Sequence, residues 1–314
     1  MNNTQVTKAR SESATLERLP TEILVAILDN LPLKGVLNAT LLCRRLHAVA
    51  VRTLQQRLLA VSSLPGYELI LECYHPSLKI WTPYLCCRPF DTRHPDGAAA
   101  AAAADLRRVC QLYAVFRPVV TEENRRRPFR MVWPASVPGG GGGSVHSADE
   151  AATQDLRLDE GELFSQLCVV LNLVTQGPRA GGLFVTHYNM SEHVVRVFRR
   201  WLGEMASRDD GDGRPSWDAP PTTTTDKVPL ASDRILWVDA ARTIGLLFRV
   251  SLGPAERMPL ISGADQDPAV SYTLTYQELI IRSTSLLMAV EASASKEMEP
   301  SRNSIILSPA ASRP

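Results

Sequence analysis

Residues 19–46 read LPTEILVAILDNLPLKGVLNATLLCRRL, and this stretch decides the fold of the N-terminal part of the chain. Its first apolar residues recur at helical spacing, which places on one helical face Ile23, Leu24, Ile27, Leu28 and Leu31. Pro20 suits the first helical position, where a missing N–H costs nothing. Pro32 cannot continue a helix. The pattern therefore predicts a first helix that ends near Leu31.

Two further helices are predicted after Pro32. A short one begins near Leu33 and carries Val36, Leu37, Thr40 and Leu41. A longer one runs from about Cys43 to Ala60, with the buried stripe Leu46, Val49, Ala50, Leu54 and Leu58. Its other side is basic, with Arg44, Arg45, Arg52 and Arg57. Three short helices bury too little apolar surface to be stable alone, so the unit is expected to need a partner or a neighbouring domain.

The order of these residues resembles an F-box over roughly Leu16 to Leu59. The resemblance is carried by Leu19-Pro20-x-Glu22-Ile23-Leu24, Ile27-Leu28, Leu31-Pro32, Leu37 and Cys43-Arg44-Arg45-Leu46. Where many members of that family carry Trp, this chain has Leu46. The segments 67–83 and 235–250 are also similar to an uncharacterised group of fungal F-box proteins, and that likeness implies no substrate.

The resemblance implies a short helical bundle that docks on the Skp adaptor of a cullin-based ubiquitin ligase. The resemblance also implies which residues lie at or near the adaptor contact: Leu19, Pro20, Glu22, Ile23, Leu31 and Pro32. Leu24, Ile27 and Leu28 serve the interface, the core of the bundle, or both. The adaptor-binding set is completed by Leu37, Cys43, Arg44 and Leu46. The basic side of the third helix either faces the acidic adaptor surface of this family or is simply solvated.

The remainder of the chain alternates like a half-buried antiparallel sheet. Strands are predicted at 67–73, 80–87, 109–120, 181–186, 235–239, 244–250 and 271–276. Residues 163–174 fit either a buried strand or a helix. Helices are predicted at 194–205 and 276–292. No repeat period is present, so the fold class is α+β: a three-helix module followed by a mainly antiparallel β-sheet domain with packed helices.

Composition suggests where the domains end. The predicted parts are a disordered N-terminus at 1–15, an F-box at 16–62, an α+β target-binding domain at 66–292 and a disordered tail at 293–314. Low-complexity insertions are expected near 97–104, 137–150 and 206–230, where Ala, Gly, Pro and Thr cluster.

A search of the sequence for catalytic or metal chemistry finds little. The six cysteines include no Cys-x-x-Cys pair. Cys73-Tyr74-His75 with Cys86-Cys87 is the best zinc candidate, but adjacent cysteines in a strand point to opposite faces. We therefore predict no catalytic residue, no metal and no cofactor. Four arginines in residues 125–130 read as an import or nucleic-acid patch, or as a solvated loop.

The sequence thus predicts a substrate receptor, with an unknown target protein as cargo, rather than an enzyme. An adaptor-binding scaffold outside any ligase and an enzyme on the α+β domain are the alternatives. A formal net charge of +1 gives no support for a nucleic-acid partner. No apolar run reaches membrane length, and no export signal is visible. The expected location is the cytoplasm, the nucleus or both.

Overall fold

The computed structural model describes residues 16–78, 82–95, 105–120, 152–176, 184–211, 228–253 and 267–297. They fall into two units. The helical unit comprises the described residues up to Arg57 together with 105–109, and the sheet unit comprises the others.

The helical unit contains the three helices that the sequence predicts. They are α1 (Thr21–Asp29), α2 (Leu33–Ala39) and α3 (Arg44–Val61), the last turn of α3 being counted with the sheet unit. A short helix α4 (Leu106–Val109) is also part of this unit. Pro20 and Pro32 stand one residue earlier than the first helical position, as N-caps in extended backbone. Because the carbonyls of both prolines accept the first helical hydrogen bonds, proline starts each helix without losing a donor.

Nine strands make up one antiparallel sheet within the described residues of the sheet unit. They are β1 (Glu68–Tyr74), β2 (Leu85–Arg93), β3 (Tyr113–Val119), β4 (Thr153–Leu158), β5 (Phe164–Gln176), β6 (Phe184–Phe198), β7 (Ile235–Trp237), β8 (Ile244–Leu252) and β9 (Val270–Arg282). The order is β6-β5-β1-β2-β3-β9-β8-β7, and β4 pairs with the first half of β9. The α+β class with a mainly antiparallel sheet is confirmed, and the ambiguous segment 163–174 lies in strand β5.

Two helix predictions are wrong in their first halves. Residues 194–198 complete β6, and the helix α5 (Arg199–Gly211) begins only afterwards. Residues 276–282 complete β9, and the helix α6 (Ser283–Glu297) follows. In both places β-branched residues pair with the preceding strand, through partners such as Cys168 for Val194 and Ile244 for Ile281. Tertiary pairing therefore overrides an apolar spacing that also suits a helix.

The ends of α5 and α6 correct two further predictions. Helix α5 runs six residues into the insertion predicted at 206–230, because Ala206 is buried at its inner face. Helix α6 runs five residues into the tail predicted at 293–314, because Ser293 is buried. The insertions near 97–104 and 137–150, the arginine run 125–130 and the N-terminus 1–15 lie outside the described residues.

The core of the sheet unit includes a cluster around Tyr113, Val115, Leu230, Ile235, Leu247 and Ile280. Trp237 packs on its rim, with its ring centroid 5.9 Å from that of Tyr113. Gly245 faces this tryptophan on the neighbouring strand. A Cβ at position 245 would lie 2.7 Å from the Ile235 side chain, so glycine is required for the strands to approach.

Candidate partner-binding surface

Helix α1 divides its apolar residues between two sides. Leu24 and Leu28 are buried, whereas Ile23, Ile27 and Leu31 are 48%, 39% and 36% exposed. Each set follows the i, i+4 spacing of one helical stripe. The single apolar face predicted from the sequence is thus two adjacent stripes. Of these two stripes, the outward one, Ile23, Ile27 and Leu31, is the one that solvent can reach.

Two arginines of α3 hold the ends of that stripe. The Arg45 guanidinium donates to the carbonyl of Leu19 at 2.6 Å, and that of Arg57 donates to the carbonyl of Leu31 at 2.6 Å. Each acceptor, Leu19 or Leu31, is the residue directly before a proline. The two Leu-Pro turns are therefore fastened to the same helix. Pro20 and Pro32 are both exposed, and Leu19 is half-buried.

The remaining predicted site residues differ in how far they are buried. Cys43 precedes α3 and caps it, because its Sγ accepts a hydrogen bond from the Leu46 N–H at 3.5 Å. Leu46 is buried and packs inside the unit, and Leu37 is partly buried. Glu22 and Arg44 are exposed. Of the basic side of α3, Arg45 and Arg57 thus serve the fold, while Arg44 and Arg52 project into solvent.

The sequence did not predict that two adjacent leucines would be exposed. Leu41 is 83% exposed and Leu42 is 69% exposed, and both lie in the turn between α2 and α3. The apolar spacing predicts Leu41 in the second helix, but that helix ends at Ala39. Thr40 ends that helix by donating its hydroxyl to the carbonyl of Leu37. The sequence carries no local signal for this turn, because Leu41 also continues the apolar spacing of the second helix.

The sheet unit contains thiols that are poorly suited to nucleophilic chemistry. Burial raises the pKa of the Cys73 thiol to about 12, against the smaller opposing effect of a hydrogen bond with Tyr276. Burial also raises the pKa of Cys87 well above its usual value. Since the thiolate is the reactive form, both side chains stay protonated at neutral pH. Within the described ranges, no group of three His, Cys, Asp or Glu residues has a metal-binding arrangement.

Two polar arrangements of the sheet unit have structural roles. Arg93 and Glu278 form a two-pronged ion pair at 2.7 and 2.6 Å, with only 8% and 14% of their side chains exposed. Asp239 accepts hydrogen bonds from the Thr243 main chain and hydroxyl, both at 2.8 Å, and from the Ile244 N–H. Partial burial opposes ionisation, but these bonds outweigh it and lower the pKa of Asp239.

No helix in the described part of the chain combines the length and the apolar character needed to cross a membrane.

Comparison with known proteins gives one match. Residues 16–59 match the F-box-like family model. The chain has no significant match among curated proteins or among solved structures. F-box-like domains are typically non-enzymatic modules that bind Skp-type adaptors of cullin-based ligases. The matched segment includes the outward stripe of Ile23, Ile27 and Leu31, and the match is confined to this N-terminal part of the chain.

Proposed function

We propose that this chain is a substrate receptor of a cullin-based ubiquitin ligase. The helical unit docks on a Skp-type adaptor, which links it to a cullin, and the sheet unit holds a target protein. The observation that carries the proposal is the outward stripe of α1 within the segment matched by the F-box-like model. A unit this small gains little by exposing three large aliphatic side chains unless a partner covers them.

The adaptor contact is assigned residue by residue. Direct contact is made by the exposed members of the predicted set and by the half-buried Leu19, which stands beside the exposed Pro20. The exposed members are Pro20, Glu22, Ile23, Ile27, Leu31, Pro32 and Arg44. Leu24, Leu28, Leu37, Cys43 and Leu46 act through the fold of the unit. Arg44 and Arg52 present positive charge to an acidic adaptor surface and raise the rate of association more than the final affinity.

A receptor of this kind performs no bond chemistry. It holds a target at high effective concentration beside the ubiquitin-carrying enzyme. The protonated thiols of Cys73 and Cys87 support a non-enzymatic sheet unit. We further propose that the chain is of the fungal F-box type and works in the cytoplasm, the nucleus or both.

The direct test is co-purification of the full chain with the adaptor. Ile23→Ala/Ile27→Ala keeps the helix propensity of α1 and removes the outer side chains. We expect this variant to lose the adaptor. Leu252→Ala is the matched control, since Leu252 is an exposed aliphatic residue of β8. Equal adaptor binding by wild type and the double variant would contradict the proposal.

Cullin recruitment separates the ligase receptor from a scaffold that binds the adaptor alone. The wild-type chain is expected to bring both adaptor and cullin out of a mixture of purified components. Recovery of the adaptor without the cullin would instead establish the scaffold role.

A further inference from the structure

Strand β6 lies at one end of the sheet order and pairs, among the described strands, with β5 alone. The main-chain N–H of Arg199 donates to the carbonyl of Leu163 at 2.9 Å, just beyond the Phe164–Phe198 pair. Hydrogen-bonded and non-hydrogen-bonded pairs alternate along an antiparallel ladder. The even-numbered residues from 192 to 198 therefore direct their N–H and C=O groups to the side of β6 opposite β5.

The same four residues also expose their side chains. Glu192, Val194, Arg196 and Phe198 are exposed, with Val194 at 61% and Phe198 at 52%. Of the intervening residues, Val195 and Val197 are buried and His193 is exposed. No register shift interrupts β6 between residues 191 and 198. This segment is thus a straight edge that offers both main-chain hydrogen-bonding groups and apolar surface.

The charges on this edge are arranged symmetrically about Val194. Glu192 lies two residues before it and Arg196 two residues after it, on the same face. An antiparallel copy related by a two-fold axis at Val194 would face Val194 with its own counterpart. Glu192 of each chain would then face Arg196 of the other. A two-fold interface requires a surface complementary to itself, and this sequence of acidic, apolar and basic side chains satisfies that condition.

We propose that the outer edge of β6 pairs with the same edge of a second copy of this chain, antiparallel and centred on Val194. The pairing continues the sheet across the two-fold axis and forms two interchain ion pairs. A parallel, in-register pairing would place Glu192 against Glu192, so the charges select the closed two-fold dimer over an open-ended stack. A strand from an unrelated protein would use the main-chain groups but not this symmetry of charge.

Charge reversal on the full chain tests the proposal in solution. Glu192→Arg gives a chain with two arginines on the edge, and Arg196→Glu gives a chain with two glutamates. Each variant alone faces like charge in the two-fold register, so we expect its dimerisation to weaken by about tenfold to hundredfold. An equimolar mixture restores opposite pairs at both positions and is expected to form the mixed dimer. Sedimentation velocity over a concentration series measures all three samples.

The matched control is Arg208→Glu on α5, an exposed arginine away from the edge, which leaves the dimer unchanged. Rescue in the mixture also shows that neither variant has lost its fold. A wild-type chain that stays monomeric throughout the series overturns the proposal. So does a dimer that both single variants leave intact, or a mixture that fails to recover.

Discussion

The helical unit and the sheet unit place their apolar and charged side chains in opposite ways. The helical unit leaves aliphatic side chains such as Ile23 and Leu41 in solvent. The sheet unit buries large aromatic residues such as Phe116 and Phe248, and it encloses the ion pair of Arg93 and Glu278 as well. The helical unit thus presents aliphatic surface around α1, whereas the sheet unit encloses a paired carboxylate and guanidinium.

This contrast indicates where each unit obtains its stability. A buried carboxylate and a buried guanidinium are tolerated only when they are paired with each other. The stability of the sheet unit therefore depends on keeping both members of its buried ion pair. Three short helices expose a larger share of their surface and gain from a bound partner. The two units should therefore respond differently to substitution.

Removing one charge of the buried pair should have the largest effect. Glu278→Gln leaves the buried Arg93 guanidinium with only its longer contact to Asp91, at 3.9 Å, and we expect the sheet unit to lose up to about 3–5 kcal/mol of unfolding free energy. Urea unfolding followed by the fluorescence of Trp201 and Trp237 measures this loss. Glu204→Gln is the matched control, because its pair with Arg200 is largely exposed and contributes at most about 1 kcal/mol. If both variants lost the same unfolding free energy, the buried ion pair would be no more important to stability than the exposed one.

Neighbouring residues of α1 should separate folding from binding. Leu28→Ala opens a cavity inside the helical unit and should cost about 2–5 kcal/mol of local stability. Ile27→Ala removes an outward side chain, so local stability should change by less than about 1 kcal/mol while adaptor affinity falls roughly tenfold. Hydrogen exchange of α1 peptides and calorimetric titration with the adaptor give the two readouts. If Ile27→Ala lowered local stability as much as Leu28→Ala does, or more, the two stripes would not have separate roles in folding and binding.

The arginine that holds the second Leu-Pro turn should contribute less. Arg57→Gln removes the hydrogen bond to the Leu31 carbonyl, and we expect faster hydrogen exchange in 31–36 that corresponds to about 1 kcal/mol. Arg52→Gln on the same helix is the control, since that side chain is exposed. If both substitutions leave hydrogen exchange in 31–36 unchanged, the Arg57 hydrogen bond does not stabilise the Leu31-Pro32 turn.

The helical unit could be predicted because its signals are local. Pro20, Pro32 and the apolar spacing between them fix helix ends within a few residues. The contacts of Arg45 and Arg57 could not be predicted, because each joins residues 26 positions apart. An arginine on the polar side of a helix reads as solvated until the neighbouring chain is placed.

The helix predicted at 194–205 failed for a related reason. Val194, Val197, Phe198 and Trp201 fit a helical stripe, but Val195 and Val197 equally fit one face of a strand. Pairing with β5 makes the segment a strand as far as Phe198. The sequence could not predict this pairing, because the residues of β5 themselves fit either a strand or a helix. The edge position of β6, and with it the significance of Glu192 and Arg196, needed the order of all nine described strands.

The smallest predicted effect concerns the pH dependence of one carboxylate in the sheet unit. The pKa of Asp239 is lowered in the folded chain by hydrogen bonds from Thr243 and Ile244, which outweigh partial burial. Its ionised form therefore stabilises the fold above the usual carboxylate pKa of about 3.9, and this contribution disappears as the pH falls through the lower folded value. Because the side chain is half-exposed, solvent screening keeps the effect below about 1 kcal/mol. Unfolding free energies of wild type and Asp239→Asn should differ at pH 6 and converge at pH 2. A difference that stays constant with pH would assign the role of Asp239 to shape and hydrogen bonding rather than to its charge.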